Sequence, residues 1–173
     1  MAKKTTAGTP GLLALTRAGV EHRVHEYDHD PKATNFGAES VALLGLDPKR
    51  VFKTLLATVE RPGRDELVVA VVPVAGQLDL KALAGAVESK RAAMAEPAAA
   101  ERATGYVVGG ISPFGQRQRH TTVLDRSALD YETVFVSAGR RGAQVELAPT
   151  ALVALTQARL ADIARPDRPS RPS

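Results

Sequence analysis

The sequence predicts a mixed α/β domain, and two patterns support this prediction. Short segments that begin with helix-capping residues alternate with short apolar, β-branched runs along most of the 173 residues. A Pro62-Gly63 turn joins two of these runs, Val51–Val59 and Glu66–Val72, and therefore predicts a β-hairpin. Because a hairpin places neighbouring strands antiparallel, the pattern argues against an all-parallel, doubly wound sheet.

Capping residues and prolines predict five helices. Thr9-Pro10 combines a side-chain cap with proline at the first helical position, and Gly19 is a natural stop. Asp79 caps a helix that continues through Val87, and Pro149 starts the last helix. The segments expected to be helical are residues 10–18, Ser40–Leu46, 79–87, 97–102 and Thr150–Leu160.

Apolar and alternating runs predict eight strands. The segment Asp28–Phe36 between the first strand and the second helix is polar and contains Pro31, which predicts a loop. The expected strands are His22–Tyr27, Val51–Val59, Glu66–Val72, Ala92–Ala95, Tyr106–Val108, His120–Leu124, Thr133–Ser137 and Gln144–Leu147.

Composition limits the chemistry available to the chain. It contains no cysteine, which excludes disulfides, thiolate metal ligands and a cysteine nucleophile. No apolar run has the length of a membrane-spanning helix, and the first residues lack an apolar signal region, so we expect a cytoplasmic protein with no membrane partner.

The net charge of +4 comes from the two ends of the chain. Five basic residues and one acidic residue lie in residues 1–4 and 165–173, and removing them from the 23 basic and 19 acidic residues leaves 18 of each. We expect residues 1–8 to be a flexible tail, residues 9–164 to be the domain and residues 165–173 to be a disordered basic tail. Basic tails attract polyanions without specificity, so they permit a nucleic-acid partner but do not identify one.

A glycine-rich segment follows the predicted strand Tyr106–Val108. Gly109 and Gly110 let backbone N–H groups approach a ligand closely, and Pro113 restricts the loop to few conformations. A strand followed by an ordinary tight turn fits the local pattern as well.

Lys53 is the second candidate. A lysine within an apolar strand either extends its ammonium group to the surface or holds it in a polar pocket, where it can stabilise developing negative charge.

Further candidate residues have both structural and functional explanations. His22 and His25 point to opposite faces of a strand and His29 lies beyond it, so a metal site is not expected. Tyr27 and Phe36 flank the polar loop, where an aromatic side chain could either pack in the core or stack on a base. Ser137 leads into the turn that carries Arg140-Arg141, which fits a phosphate contact or a solvated turn.

Five segments of the chain form a recognisable set by their order and spacing: Thr34–Phe36, Val51–Leu56, Pro73–Leu80, Gly105–Pro113 and Val136–Gly142. Together they resemble the YbaK/EbsC family. The family contains Cys-tRNA(Pro) and Cys-tRNA(Cys) deacylases and is related to the editing domain of bacterial prolyl-tRNA synthetases. The resemblance covers about residues 10 to 165 and implies a curled, partly barrel-like mixed sheet surrounded by helices.

The resemblance also implies a set of site residues. Lys53 matches the family's essential lysine, and residues 109–113 match its Gly-x-x-x-Pro loop, in which Gly109 is the candidate catalytic residue. Where relatives often have aspartate, this chain has Gln144, which keeps the polarity but supplies no charge. The substrate-binding residues implied by the resemblance are Tyr27, Phe36, Gly110, Ser112, Pro113, Ser137 and Gln144.

The implied activity is editing in trans of Cys-tRNA(Pro), without a metal or cofactor. In the family the cysteine thiol of the substrate attacks its own ester, so the protein needs to position the substrate and stabilise the oxyanion. Partners implied are the 3′-terminal adenosine and aminoacyl group of the tRNA and, because the body is neutral, prolyl-tRNA synthetase to assist tRNA binding. Two alternatives stay open: editing of Ala-tRNA(Pro) or another mischarged tRNA, and a non-catalytic module that binds a nucleotide or tRNA end.

Overall fold

A computed structural model describes residues 8–166. It contains five α-helices, as the capping pattern predicts, and ten strands. The helices are α1 (Pro10–Arg17), α2 (Phe36–Leu44), α3 (Leu80–Ala86), α4 (Pro97–Thr104) and α5 (Pro149–Thr156). The strands are β1 (Arg23–Glu26), β2 (Phe52–Val59), β3 (Glu66–Pro73), β4 (Gly76–Leu78), β5 (Ala92–Met94), β6 (Thr121–Asp125), β7 (Val134–Ser137), β8 (Ala143–Leu147), β9 (Arg159–Ala161) and β10 (Ala164–Pro166).

The largest sheet has five strands and is mixed, which confirms the predicted fold class. Its strand order is β5-β2-β3-β6-β9. The predicted hairpin forms its centre, since β2 pairs with β3 antiparallel from Phe52↔Pro73 to Val59↔Glu66. On its other side β3 pairs with β6 in parallel, and β6 pairs with β9 in parallel. The curling of this sheet into a partial barrel stays a prediction.

A second, antiparallel sheet has the order β1-β8-β7, and β4 pairs with β10 separately. One parallel bridge, Val51↔Phe135, joins the start of β2 to β7, with the Phe135 N–H donating to the Arg50 carbonyl at 2.9 Å. The bridge brings the smaller sheet beside the N-terminal half of β2.

The central strand β3 is apolar from Leu67 to Pro73 because both faces of the large sheet are covered. Val69 and Val71 belong to the core cluster formed with α1, α5 and the smaller sheet. Val68, Ala70 and Val72 point to the opposite side and pack with α3 and Ile163. Strands buried on both faces lose the alternation of apolar and polar residues, as this one does.

The apolar run Tyr106–Val108 is not a strand, which corrects the prediction. Helix α4 continues to Thr104 and ends at Gly105, whose left-handed φ of 81° reverses the chain. Tyr106 is then buried, and its hydroxyl donates to the Phe114 carbonyl at 2.6 Å. The side chain anchors a compact loop instead of pairing with a neighbouring strand.

The last helix is shorter than predicted. Helix α5 ends at Thr156 because Gln157 adopts a left-handed φ of 55°. Residues 159–161 then pair in parallel with β6. Arg159, Leu160 and Ala161 suit a helix by intrinsic preference, and tertiary pairing overrides that preference here.

The ordered chain continues past residue 164, so the prediction of a disordered tail is wrong for Arg165 and Pro166, which belong to β10. The buried carboxylate of Asp125 holds this segment, because its Oδ1 accepts hydrogen bonds from the N–H groups of Ile163 and Ala164, each at 3.0 Å. The rest of the predicted tails, residues 1–7 and 167–173, lies outside the described residues.

Candidate active site

A cavity of about 490 Å³ lies where the two sheets meet. Its wall contains five of the nine residues expected at the site. It also contains six consecutive residues, Val51 and the first five residues of β2, Phe52 to Leu56. Consecutive side chains of a strand point to opposite faces, so a cavity that touches six in a row borders the edge of the strand. The expected residues in the wall are Phe36, Lys53, Gly109, Ser137 and Gln144.

Lys53 is half-buried in this wall. Among residues 8–166 it forms no salt bridge, and no aspartate or glutamate lines the cavity. A lone ammonium group in a largely apolar site attracts electron-rich oxygen atoms, such as the carbonyl oxygen of an ester or the oxyanion formed from it. The cavity therefore suits a neutral ester that gains negative charge during reaction.

Gly109 lies against the ring of Phe36. It has a φ of 88°, and a Cβ atom built on it would lie 2.6 Å from ring carbons of Phe36. The guanidinium carbon of Arg141 lies 4.6 Å from the centroid of the same ring, and Arg141 Nε donates to the Val108 carbonyl at 2.8 Å. The glycine loop, the ring and the 138–142 turn thus hold one another in place.

Helix α2 positions Phe36, and its start lies earlier than predicted. Asn35 caps it by accepting a hydrogen bond from the Ala38 N–H at 3.1 Å, so Phe36 belongs to the first turn and not to the loop. His29 lies 5.9 Å from the Phe36 ring and hydrogen-bonds to Glu39 at 2.7 Å. This hydrogen bond is the main cause that lowers the pKa of Glu39.

Ser137 and Gln144 face each other across β7 and β8. Gln144 is 8% exposed, and its Oε1 has no hydrogen-bond partner among the described residues. Tyr27 does not line the cavity but lies beside Gln144. Burial raises the pKa of the Tyr27 hydroxyl, and the nearby Gly142 main chain and Gln144 amide partly oppose this.

The remaining expected residues, Gly110, Ser112 and Pro113, do not line the cavity. Gly110 packs against the 138–142 turn, where a Cβ would lie 2.8 Å from the Arg140 main chain. Ser112 is fully buried, and its Oγ accepts from the Phe114 N–H at 3.2 Å. Their positions fit residues that shape the loop around Gly109.

The four histidines lie in separate environments. His22 hydrogen-bonds to the Val20 carbonyl, His25 to Glu146, and His120 to Gln116. In the described part of the chain, no three side chains of histidine, aspartate or glutamate are placed to hold a metal ion. Across the same residues, no helix has the length and apolarity needed to cross a bilayer.

Sequence reasoning did not single out Thr54, which also lines the cavity. Its Oγ1 is buried without a hydrogen-bond partner among the described residues. The available signal was its position beside Lys53 in a strand, but only the pairing of β2 shows that this part of the strand lies at an open edge. Met94, 49% exposed at the mouth of the cavity, gave no sequence signal.

Comparison with known sequences gives one family and two kinds of relative. A family model described as "Aminoacyl-tRNA editing domain" matches residues 30–155. A protein of Enterococcus faecalis, named as the Cys-tRNA(Pro)/Cys-tRNA(Cys) deacylase EbsC, is 39% identical over 166 residues, which cover 94% of this chain and 98% of that protein. The multifunctional Ser/Thr-tRNA deacylase ProXp-y of Escherichia coli is 25% identical over 166 residues, covering 95% of this chain and 97% of the relative.

Solved structures give the same fold. One described as a trans-editing enzyme for prolyl tRNA synthetase superposes with a TM-score of 0.79 at 25% identity, covering 95% of this chain and 99% of its own.

Proposed function

Because the chain belongs to the aminoacyl-tRNA editing domain family, we propose that it removes cysteine from mischarged Cys-tRNA(Pro) in trans. The single observation that best supports this proposal is the cavity that gathers Lys53, Gly109, Ser137 and Gln144 from distant parts of the chain. The relative named for cysteine-tRNA deacylation has a higher identity than the one named for serine and threonine, 39% against 25%.

The reaction needs no nucleophile from the protein. The cysteine sulfur attacks the carbonyl carbon of its own ester, a C–S bond forms, and the bond from that carbon to the ribose oxygen breaks. The thiol proton ends on the ribose oxygen, which releases tRNA, and water opens the resulting thiolactone to cysteine. Holding sulfur and carbonyl in contact supplies much of the rate of such an intramolecular step.

In this mechanism Lys53 stabilises the oxyanion, and Gly109 brings its backbone close to the ester while it holds the Phe36 ring. Phe36, Ser137 and Gln144 bind the aminoacyl-adenosine end. Tyr27, Gly110, Ser112 and Pro113 act from outside the cavity wall by holding Gln144 and the loop.

The test compares release of amino acid from Cys-, Ala-, Ser- and Pro-tRNA(Pro). Rapid loss of cysteine alone supports the thiol-assisted reaction. Preferential loss of alanine or serine keeps the site but requires attack by water, and survival of all four esters favours a non-catalytic binding module.

Lys53→Ala is expected to lower kcat about 10²–10³-fold, the usual cost of losing one oxyanion-stabilising group. The matched control is Lys81→Ala, which removes an exposed lysine of α3 outside the cavity and is expected to retain full activity. Unchanged turnover in Lys53→Ala would contradict the role given to Lys53.

A complex with prolyl-tRNA synthetase is part of the proposal. The neutral charge of residues 5–164 provides little attraction for tRNA phosphates, so a synthetase that already holds tRNA(Pro) would raise its local concentration. Sedimentation of the two proteins with and without tRNA(Pro) tests this. Equal deacylation rates with and without the synthetase at low tRNA concentration would argue against the complex.

A further inference from the structure

The N-terminal half of β2 has one edge that no strand covers. On one side β2 pairs with β3 along its whole length. On the other side β5 pairs only with Ala57–Val59, and β7 reaches only Val51. Among the described residues, the stretch between these two contacts therefore has no strand partner on its cavity side.

The pairing fixes which main-chain groups face this open edge. The Val51 carbonyl accepts from the Val74 N–H at 2.7 Å, so the main chain of Val51 faces the β3 side. The N–H and C=O groups of successive residues alternate between the two sides of a strand. The main-chain groups of Lys53 therefore face β3, and those of Thr54 face the open edge.

Two contacts on the opposite side confirm this alternation. The carbonyls of Arg50 and Leu56 accept from the N–H groups of Phe135 at 2.9 Å and Ala95 at 3.0 Å. Both acceptors are an even number of residues from Thr54, so the Thr54 N–H and C=O and the Phe52 C=O share their direction. These groups lie between two closed ends and belong to residues that line the cavity.

The length of the gap limits which ligand can bind there. A β-strand from another chain usually has five or six residues and would extend beyond the gap, but Phe135 and Ala95 already occupy its two ends. An aminoacyl ester is the size of one residue and carries the same groups, an α-amino donor and a carbonyl acceptor. In an antiparallel ladder one residue exchanges two hydrogen bonds with its partner.

We infer that the main chain of Thr54 binds the aminoacyl group of the substrate as a strand binds one residue of its neighbour. The Thr54 C=O accepts from the α-amino group, and the Thr54 N–H donates to the ester carbonyl oxygen. That N–H gives the oxyanion a second donor beside Lys53. The inference rests on the proposed function, because it takes an aminoacyl ester as the ligand.

This arrangement fits the charges of the cavity. No carboxylate lines it, so the main-chain carbonyls of Thr54 and Phe52 are the acceptors available at this edge for the α-amino group. The contacts involve only the backbone of the substrate, so this edge is expected to accept aminoacyl groups of different side chains equally well.

The role of the Thr54 N–H is tested by replacing the Thr54 amide with an ester, using the α-hydroxy acid analogue of threonine, 2,3-dihydroxybutanoic acid, incorporated at that position. The donor is lost while every N–H of the ladder with β3 stays, because Thr54 does not donate towards β3; the ester weakens only the Lys53 carbonyl as an acceptor in that ladder. We expect kcat for Cys-tRNA(Pro) to fall about 10²–10³-fold in a protein that stays folded, with a modest fall in Tm. Thr54→Val separates the two groups, since it removes only the hydroxyl and keeps the N–H; its kcat is expected to fall less than that of the ester protein, and an equal fall in both would contradict the role given to the N–H.

The proposed contact between the Thr54 C=O and the α-amino group is tested with tRNA(Pro) carrying 3-mercaptopropionate, which keeps the thiol and lacks the α-amino group. For each ester, the rate with wild-type protein is divided by the rate in buffer. This acceleration is expected to be at least tenfold lower for the 3-mercaptopropionate ester than for the cysteine ester. A wild-type rate in the protein with the Thr54 backbone ester, or equal acceleration of the cysteine and 3-mercaptopropionate esters, would overturn the inference.

One further measurement separates the inference from the proposed function. If no ester is hydrolysed, the amide resonance of Thr54 is followed by NMR while 3′-cysteinylamino-3′-deoxyadenosine, a stable amide analogue, is added. A shift at Thr54 that saturates upholds the pairing even though the proposed activity has failed. Binding that leaves the Thr54 amide unshifted rejects it.

Discussion

Gly109→Ala tests the contact that joins the glycine loop to the cavity. Two costs arise: the φ of 88° strains an L-residue by about 1–2 kcal/mol, and the new Cβ would lie 2.6 Å from ring carbons of Phe36. Carbon atoms pack at about 3.5–4.0 Å, so the ring or the loop must move by about 1 Å.

Gly63→Ala is the matched control for the first cost. Gly63 has a similar φ of 83° in the β2–β3 turn, but no atom lies within 4 Å of a Cβ built there. This variant is expected to lose only the strain energy, which lowers Tm by about 2–8 °C in a chain of this size, and to keep its activity.

Gly109→Ala is expected to lower the free energy of unfolding by at least about 1 kcal/mol more than Gly63→Ala does, because the new Cβ displaces Phe36 at the cavity wall. For the same reason it is expected to deacylate Cys-tRNA(Pro) at least tenfold more slowly than the wild type. The assays are urea unfolding and release of labelled cysteine. Adding Phe36→Leu to Gly109→Ala is expected to recover part of the stability, since it removes the obstructing ring. Equal destabilisation of the two alanine variants, with activity kept in both, would refute the reasoning.

Three further variants test polar contacts that are buried or half-buried. Tyr106→Phe removes the hydrogen bond to Phe114 and is expected to cost about 1–1.5 kcal/mol in urea unfolding at pH 7. Burial raises the pKa of Tyr106 to about 12, so the wild type is expected to lose about 2–3 kcal/mol between pH 10 and 12 as the unfolded tyrosine ionises first; an equally steep loss in Tyr106→Phe would contradict this. A hydrogen bond from Thr133, with smaller contributions from His25 and Arg50, lowers the pKa of Glu146, so its stabilisation is present above about pH 4.5 and is lost as pH falls. Glu146→Gln is therefore expected to flatten the acid limb of a stability–pH profile, and an unchanged limb would exclude Glu146 as its source. Asp125→Asn weakens the acceptor for Ile163 and Ala164 and is expected to cost about 2–3 kcal/mol, with faster amide exchange at both residues; unchanged exchange would show that other contacts hold β10.

Local signals account for the parts of the fold that the sequence predicted. The Pro62-Gly63 turn, the Thr9 cap and the Asp79 cap each act within a few residues, and each lies where expected. The errors occur where distant segments decide the outcome. Residues 159–161 become a strand because they pair with the edge of β6. Tyr106 lies in the core, where its hydroxyl hydrogen-bonds to the Phe114 carbonyl.

At the site, too, some residues could be identified from the sequence and others depend on contacts between distant segments. Resemblance identified Lys53, Gly109, Phe36, Ser137 and Gln144, and the structure brings these five into one cavity wall. The position of Thr54 at an open edge depends on how far β5 and β7 extend along β2, which no pattern around residue 54 encodes.

The short gap in the pairing of β2 also bears on the solubility of the folded chain. Unpaired strand edges are the usual templates on which other copies of a protein add strands and begin to aggregate. Here Phe135 and Ala95 end the gap on both sides, so an incoming strand from another molecule could form only one or two rungs before meeting the covered part. The unpaired main-chain groups of β2 are therefore accessible to a small molecule but not to a pairing strand from another copy of the protein.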